Sequence, residues 1–205
     1  KEINTPSDYN GLKMRMPGLG GRTIEKLGAT PVLLAGSDVL PSLSSGAVDA
    51  AEWICPAADL GAGLYQAAKY YYGPGWHEPS TLLDLSMDLA SWEKLDSATQ
   101  GLIDDMTKSF NMTVFSRFQA ANGPALQKLL GEHNVQLKQF PDEVLIALGN
   151  AAGEVVSERG SLNSETKGIC NHLLSFRKNI MDWSTKGESE FARIRNLSFK
   201  YPDSV

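Results

Sequence analysis

The chain is short of positive charge, of cysteine and of long apolar runs, and each shortage removes a class of function. Lysine and arginine number 19 against 24 aspartates and glutamates, a net charge of −5. No basic run stands out from that background, so there is no nucleic-acid footprint. No segment approaches the roughly 20 apolar residues that a membrane-spanning helix needs. Only two cysteines are present, Cys55 and Cys170, far apart in sequence. An oxidising compartment would permit a bridge between them. Cys55 sits in an apolar context and Cys170 falls mid-helix, so two buried free thiols are the expectation. Position 1 is not methionine and no charged-then-apolar leader follows it. The numbering is therefore expected to begin inside a longer precursor. Signatures of the His-Glu-x-x-His, Gly-x-Ser-x-Gly and Cys–His kinds are missing too.

What remains is an ordinary globular composition, 42% hydrophobic and 21% charged over 205 residues, enough for one or two domains with a real core. Residues 1–10 read as polar and irregular. Leu12–Met16 alternates apolar with basic residues, which suits a half-buried strand, and Pro17-Gly-Leu-Gly-Gly21 should break it. A short helix is expected over Arg22–Leu27, closed by Gly28, and a second strand over Thr30–Leu34. Ser37-Asp38 can cap the next helix, which runs to Gly46 with Pro41 in its first turn. A third strand begins at Ala47 and ends at Trp53. Strand, helix, strand, helix at this spacing predicts a parallel α/β unit. Beyond it the pattern predicts a helix over Leu60–Tyr72, a strand over Leu82–Leu89 and a short helix capped by Ser91. Ser97 and Gln100 form a capping box for a long helix to about Ala121, with Leu102, Ile103, Met106, Phe110, Val114 and Phe118 as a core stripe. Gly123-Pro124 should interrupt that helix, and Pro124 should open another to Gly131. A strand over Val135–Phe140, a helix from Pro141 to about Glu158 and a helix capped by Ser164 through Trp183 complete the expectation, before a polar tail.

Two points in the sequence concentrate carboxylates, aromatics and glycines: Gly46-Ala-Val-Asp-Ala-Ala-Glu52-Trp53 and Lys69-Tyr-Tyr-Tyr72-Gly-Pro-Gly-Trp76-His77-Glu78-Pro79. Acids beside indole rings can form a small, dry, anionic pocket that holds a cation or raises a carboxyl pKa. Glu52 closes an apolar run at a strand end, where α/β folds place binding residues, and an acid there is costly to bury unless paired, protonated or metal-bound. Pairing with Arg15 or Lys69 is the plain alternative to a metal. Glu78 can complete an oxygen cage, and Trp76 can supply an apolar wall. His77 invites a reading as base or metal ligand, although a lone histidine is more often a hydrogen-bonded structural residue. One of Tyr70, Tyr71 and Tyr72 is expected to line the cleft while the others pack or face solvent. Arg15, beside its glycine run, can hold a carboxylate through two parallel hydrogen bonds.

These two stretches, with Gly11-Leu-Lys-Met-Arg15-Met-Pro-Gly-Leu-Gly-Gly21 upstream, closely resemble the solute-binding proteins of tripartite ATP-independent periplasmic (TRAP) transporters. The nearest branch binds 2-oxo or 2-hydroxy acids such as pyruvate and lactate. The resemblance covers roughly residues 11–105 and is weaker beyond. It implies an α/β, periplasmic-binding-protein-like (type II) lobe over residues 1–123, then a C-terminal strand and helices over residues 124–205. Most of the first lobe would precede this chain. It implies that Arg15 fixes the substrate carboxylate, and that Glu52, the Trp53 carbonyl and Glu78 hold a bridging Na⁺ or Ca²⁺, with Trp53 and Trp76 beside the ligand. It further implies a periplasmic receptor, not an enzyme, that hands its acid to a membrane permease and can dimerise through its C-terminal helices. Two positions depart from the pattern. Ser37-Asp38 replaces Gly-Glu, and Asp88 replaces an asparagine; an ionised Asp88 facing the cleft would repel a carboxylate. The rival expectation is a metal-dependent enzyme acting on a carboxylic acid with Glu52, His77 and Glu78.

Overall fold

The computed structural model describes residues 1–78 and 83–200. They form two compact units, Lys1–Ala152 and Gly153–Val205. The first is built on a parallel sheet in the order β2-β1-β3, from β1 (Lys13–Arg15), β2 (Thr30–Val32) and β3 (Ala50–Ala51). The crossovers are α1 (Gly18–Lys26) and α2 (Gly36–Ser45). This is the parallel α/β unit that the sequence pattern predicts. A second parallel pair joins β4 (Tyr70–Tyr72) to β5 (Gln136–Lys138), with Tyr71 opposite Leu137. Buried Ile3, Tyr9, Leu12, Met16, Ile24, Ala29, Val144 and Leu148 form the core. The N-terminal ten residues thus supply Ile3 and Tyr9 to it, because Asp8 accepts hydrogen bonds from the Asn4 and Thr5 amides and rolls the segment inward.

Several elements differ from expectation for identifiable reasons. The strand ends before the proline–glycine run as expected, but the run itself is helical: α1 starts at Gly18, directly after Pro17, rather than at Arg22. A Cβ on Gly21 would stand 2.5 Å from the Met16 carbonyl oxygen, so the glycine lets the helix fold back tightly onto β1. No helix spans Leu60–Tyr72. Instead α3 (Pro56–Gly61) stops, Gly63 turns with φ of 70°, and the three tyrosines form β4; glycines end helices, and aromatic side chains favour strands. Within the expected strand over Leu82–Leu89, the described residues 83–88 form no strand, and Leu82 lies outside the described residues. α4 (Leu89–Trp92) follows, capped by Asp88 rather than Ser91.

The long helix α5 runs from Ser97 to Gly131 without interruption, Pro124 included. Its cap is Asp96, which accepts from the Thr99 amide at 2.9 Å, while Gln100 reaches the Trp92 carbonyl instead of closing a box. Packing carries α5 past its proline: α3 docks on it, Asn122 accepts from the Ala57 amide at 3.1 Å, and Ala125 and Leu129 are buried. Most of the stripe expected in the core lies on the surface, with Ile103 and Val114 half-buried. Phe110 is 61% exposed, and Leu102, Met106 and Phe118 are exposed as well.

α6 (Asp142–Gly160) runs from the first unit into the second. The second unit continues with α7 (Ser164–Ser184), capped by Asn163 rather than Ser164, a π turn over Thr185–Ser189 and α8 (Glu190–Arg195). The tail is therefore helical as far as Arg195. Cys55 and Cys170 are free and half-buried.

Candidate functional site

Arg15 is the last residue of β1, and Glu52 follows β3 directly. The Glu52 amide donates to the Arg15 carbonyl at 3.0 Å, extending the strand ladder into the site. The side chains therefore emerge together at the carboxyl ends of neighbouring parallel strands, the place where α/β sheets bind ligands. Arg15 Nη1 donates to Glu52 Oε1 and also to the Glu52 carbonyl at 3.2 Å. The second carboxylate oxygen lies 3.3 Å from His77 Nε2. Glu52, only 9% exposed, is thus held on both oxygens. The pairing with Arg15 that the sequence left open as an alternative is made.

The remaining residues close around this core. The Arg15 guanidinium lies 5.2 Å from the Trp53 ring centre, and the outer edge of that indole rests where a side chain on Gly36 would be, 2.7 Å from its Cβ position. The Gly73–Gly75 turn carries the chain from β4 to Trp76, which packs on the core and meets the His77 ring edge-on at 5.1 Å. Glu78 is exposed. Its carboxylate and the ligand atoms of Glu52 and His77 all lie within 4.8 Å of one another. Arg15 Nε and His77 Nδ1 are buried without a partner among the described residues.

These groups face a cleft of about 740 Å³, bordered by Glu52, Trp53, Trp76, His77 and Glu78 among others. Arg15 stands just behind that lining, reaching the cleft through Glu52. All three tyrosines border it, rather than one. Tyr70 lies 5.7 Å from both Lys69 Nζ and Lys138 Nζ, and Tyr72 accepts from the Ile3 amide at 2.8 Å. The hydroxyl of Tyr71 donates to Asp59.

Asp59 carries no signal in the sequence. It is 7% exposed, and its other oxygen accepts from the Ile54 and Cys55 amides at 3.2 Å each. Burial raises its carboxyl above the ordinary range, and burial beside Asp59 raises the Tyr71 hydroxyl. The two positions that depart from the family pattern are both exposed. Asp88 is exposed and directs its carboxylate to the Ser91 amide and hydroxyl. Asp38 lies in the exposed first turn of α2, where it accepts from Ser37 Oγ and makes no cap.

Parallel strands that bring two carboxylates to one cleft, with a guanidinium paired to one of them just behind the lining, define a ligand-binding α/β lobe. The family profile of the bacterial extracellular solute-binding proteins, family 7 (DctP), matches residues 1–161, and the chain belongs to that family. It is 35% identical over 97% of its length to a monocarboxylate 2-oxoacid-binding periplasmic protein of Nostoc sp. PCC 7120, covering 54% of that protein. Among solved structures, it superposes on a TRAP periplasmic solute-binding protein from Pseudoalteromonas atlantica T6c with bound sodium and pyruvate. The TM-score is 0.88, with 30% identity over 98% of this chain and 60% of the other. A counterpart from Colwellia psychrerythraea with bound calcium and pyruvate gives 0.87, with 31% identity over 94% of this chain and 59% of that one. The chain therefore spans somewhat more than half the length of these relatives. The resemblance drawn from residues 11–105 is borne out at the level of family and fold.

Proposed function

We propose that this chain supplies the cation- and carboxylate-binding half of a TRAP-transporter receptor for small 2-oxo or 2-hydroxy monocarboxylates of the pyruvate and lactate kind. The observation that carries this reading is the Glu52 cluster: a buried carboxylate at a strand end, held between Arg15 and His77, with Glu78 beside it. One guanidinium against two carboxylates leaves the cluster one negative charge in excess. An organic acid entering alone would meet net repulsion; an acid entering with a cation would not.

The donor set fits a hard cation. Carboxylate oxygens of Glu52 and Glu78, joined by the Trp53 carbonyl, suit Na⁺ or Ca²⁺ better than a thiophilic metal. When bound, such an ion supplies the positive charge that an acid and its 2-oxygen require. Arg15 turns its guanidinium, whose Nε has no partner among the described residues, to the substrate carboxylate, and Trp53 and Trp76 provide the apolar walls. Residues 1–123, with β5 and the start of α6 packed on them, serve as the second ligand-binding lobe, and the length that the relatives possess beyond this chain closes over it by hinge motion. The receptor works in the periplasm, delivers its acid to a membrane permease, and pairs with a second copy through its C-terminal helices.

The test is calorimetric titration of pyruvate, lactate and longer 2-oxo acids into the full-length protein that contains this chain, with Na⁺ and Ca²⁺ varied and with chelator. Binding that strengthens with cation and releases the acid unchanged is the expected result. Turnover of the acid that chelation abolishes would instead establish the metal-dependent enzyme built on Glu52, His77 and Glu78. Binding indifferent to every cation would remove the bridging ion.

A further inference from the structure

The site is assembled from two segments that belong to different sheets. Glu52 and Trp53 leave β3, whereas Trp76, His77 and Glu78 leave β4 through a glycine-flanked turn. His77 and Glu52 meet across 25 residues of sequence, so something must hold the two segments at that distance. One buried carboxylate touches both. Oδ1 of Asp59 gathers the Ile54 and Cys55 amides, immediately after Glu52-Trp53, and Oδ2 takes the hydroxyl of Tyr71, the middle residue of β4. Asp59 itself sits in α3, which is docked on α5. Tyr71 is held in turn by the pairing of β4 with β5. Both residues border the cleft, but the Asp59 carboxylate and the Tyr71 hydroxyl are engaged with each other and with the Ile54 and Cys55 amides, and neither is among the Glu52, His77 and Glu78 group.

We propose that Asp59 and Tyr71 are a positioning pair that sets the spacing between the Glu52–Trp53 arm and the Trp76–Glu78 arm of the site. The proposal rests on the reading of the cleft as a cation-and-carboxylate site. Its physical content is that a ligand bridging both arms requires their separation to be fixed before it arrives, and outer hydrogen bonds do that work in metal sites generally. A buried carboxyl is costly to keep in an apolar setting unless hydrogen bonds offset that cost, and Asp59 commits both oxygens to this link.

The experiment compares Tyr71→Phe, Asp59→Ala, Asp59→Asn and the Tyr71→Phe/Asp59→Ala double variant in the full-length protein. Pyruvate titrations at saturating Ca²⁺ are combined with thermal melting and with ¹⁹F resonances of fluorotryptophan at positions 53 and 76, recorded without ligand. Tyr71→Phe and Asp59→Ala are expected to weaken pyruvate binding by roughly tenfold or more, the usual effect of removing an outer partner. The Asp59→Asn side chain keeps an acceptor for the two backbone amides and an amide group for Tyr71, so that variant should restore wild-type affinity. The double variant should bind no worse than Asp59→Ala, because both changes cut one link. Tyr71→Phe binding like wild type would overturn the proposal, as would single effects that multiply in the double variant. If the wild-type protein bound no 2-oxo acid, the reading of the cleft would fall. The ligand-free tryptophan resonances would still decide the pair, since they must move in Tyr71→Phe if it positions the arms.

Discussion

Arg15 illustrates how much depends on the type of one side chain. On the proposed reading its guanidinium has two tasks, to neutralise Glu52 and to offer a substrate carboxylate a second edge, whose Nε is buried without a partner among the described residues. Lysine at this position keeps the charge and loses the fork, so it can pair with Glu52 but cannot also hold a substrate carboxylate through two parallel hydrogen bonds. Arg15→Lys should therefore melt close to wild type while its affinity for pyruvate falls roughly tenfold or more; melting and titration of the same sample check the split. Asp59 makes the opposite case. Burial raises its carboxyl above the ordinary value of 3.8. An acid whose folded-state pKa is raised costs stability wherever it is ionised in the fold, and that cost fades as pH falls through the folded value toward the unfolded one. Asp59→Asn removes the charge and keeps the hydrogen bonds. It should melt higher than wild type at neutral pH, by on the order of a few degrees, and the advantage should close as pH drops toward 3.8. An advantage that grew in acid would contradict the burial argument.

At the scale of elements, the same close approaches that build the site also hid parts of it. Gly36 opens α2, and the Trp53 indole fills the space beside it. Gly36→Ala places a methyl 2.7 Å from Trp53 Cη2. The far end of the indole can swing away, and alanine suits a helix better than glycine, so thermal stability should hold or rise. The displaced ring no longer backs Arg15, so pyruvate affinity should fall; unchanged affinity would show that the indole does not orient the guanidinium. The parallel unit β1-α1-β2-α2-β3 was legible because alternation and turn residues agree there, and Arg15, Glu52, His77 and Glu78 were legible because their motifs are unusual. The tyrosine strand was not, since Ala-Ala-Lys-Tyr-Tyr-Tyr carries no alternation and only its pairing with β5 makes it a strand. Asp59 was not, because a lone aspartate four residues after Cys55 reads as an ordinary helix-start acid until Tyr71 is brought to it. The helix caps at Asp96, Asp88 and Asn163 lie within three residues of the serines expected to fill that role, in stretches where neighbouring polar side chains could each serve.

For the whole molecule, the deciding feature is apolar surface that the described residues leave open. α5 exposes Leu102, Met106, Phe110, Met112 and Phe115, and α7 exposes Ile169, Leu173, Phe176, Ile180 and Trp183. The two sets differ in pattern. Ile169, Leu173, Phe176, Ile180 and Trp183 on α7 recur at alternating intervals of four and three, the spacing of a coiled-coil seam, with Leu174 and Met181 exposed beside them, whereas those on α5 follow no such alternation, in a chain that spans little more than half of its relatives' length. Contiguous apolar patches of this kind are uncommon on soluble monomers. Covering α5 with the additional length that the relatives possess, and α7 with a second copy, accounts for both patterns. The chain expressed alone should then self-associate, bind an apolar dye and scatter light as a mixture of sizes. In the full-length protein only α7 should remain open, giving a dimer. Phe176→Glu should halve the mass measured by light scattering there and leave pyruvate binding intact, while Phe115→Glu should damage folding and leave the mass per folded molecule unchanged. A full-length protein that is monomeric before any substitution would assign the α7 seam to some partner other than a second copy.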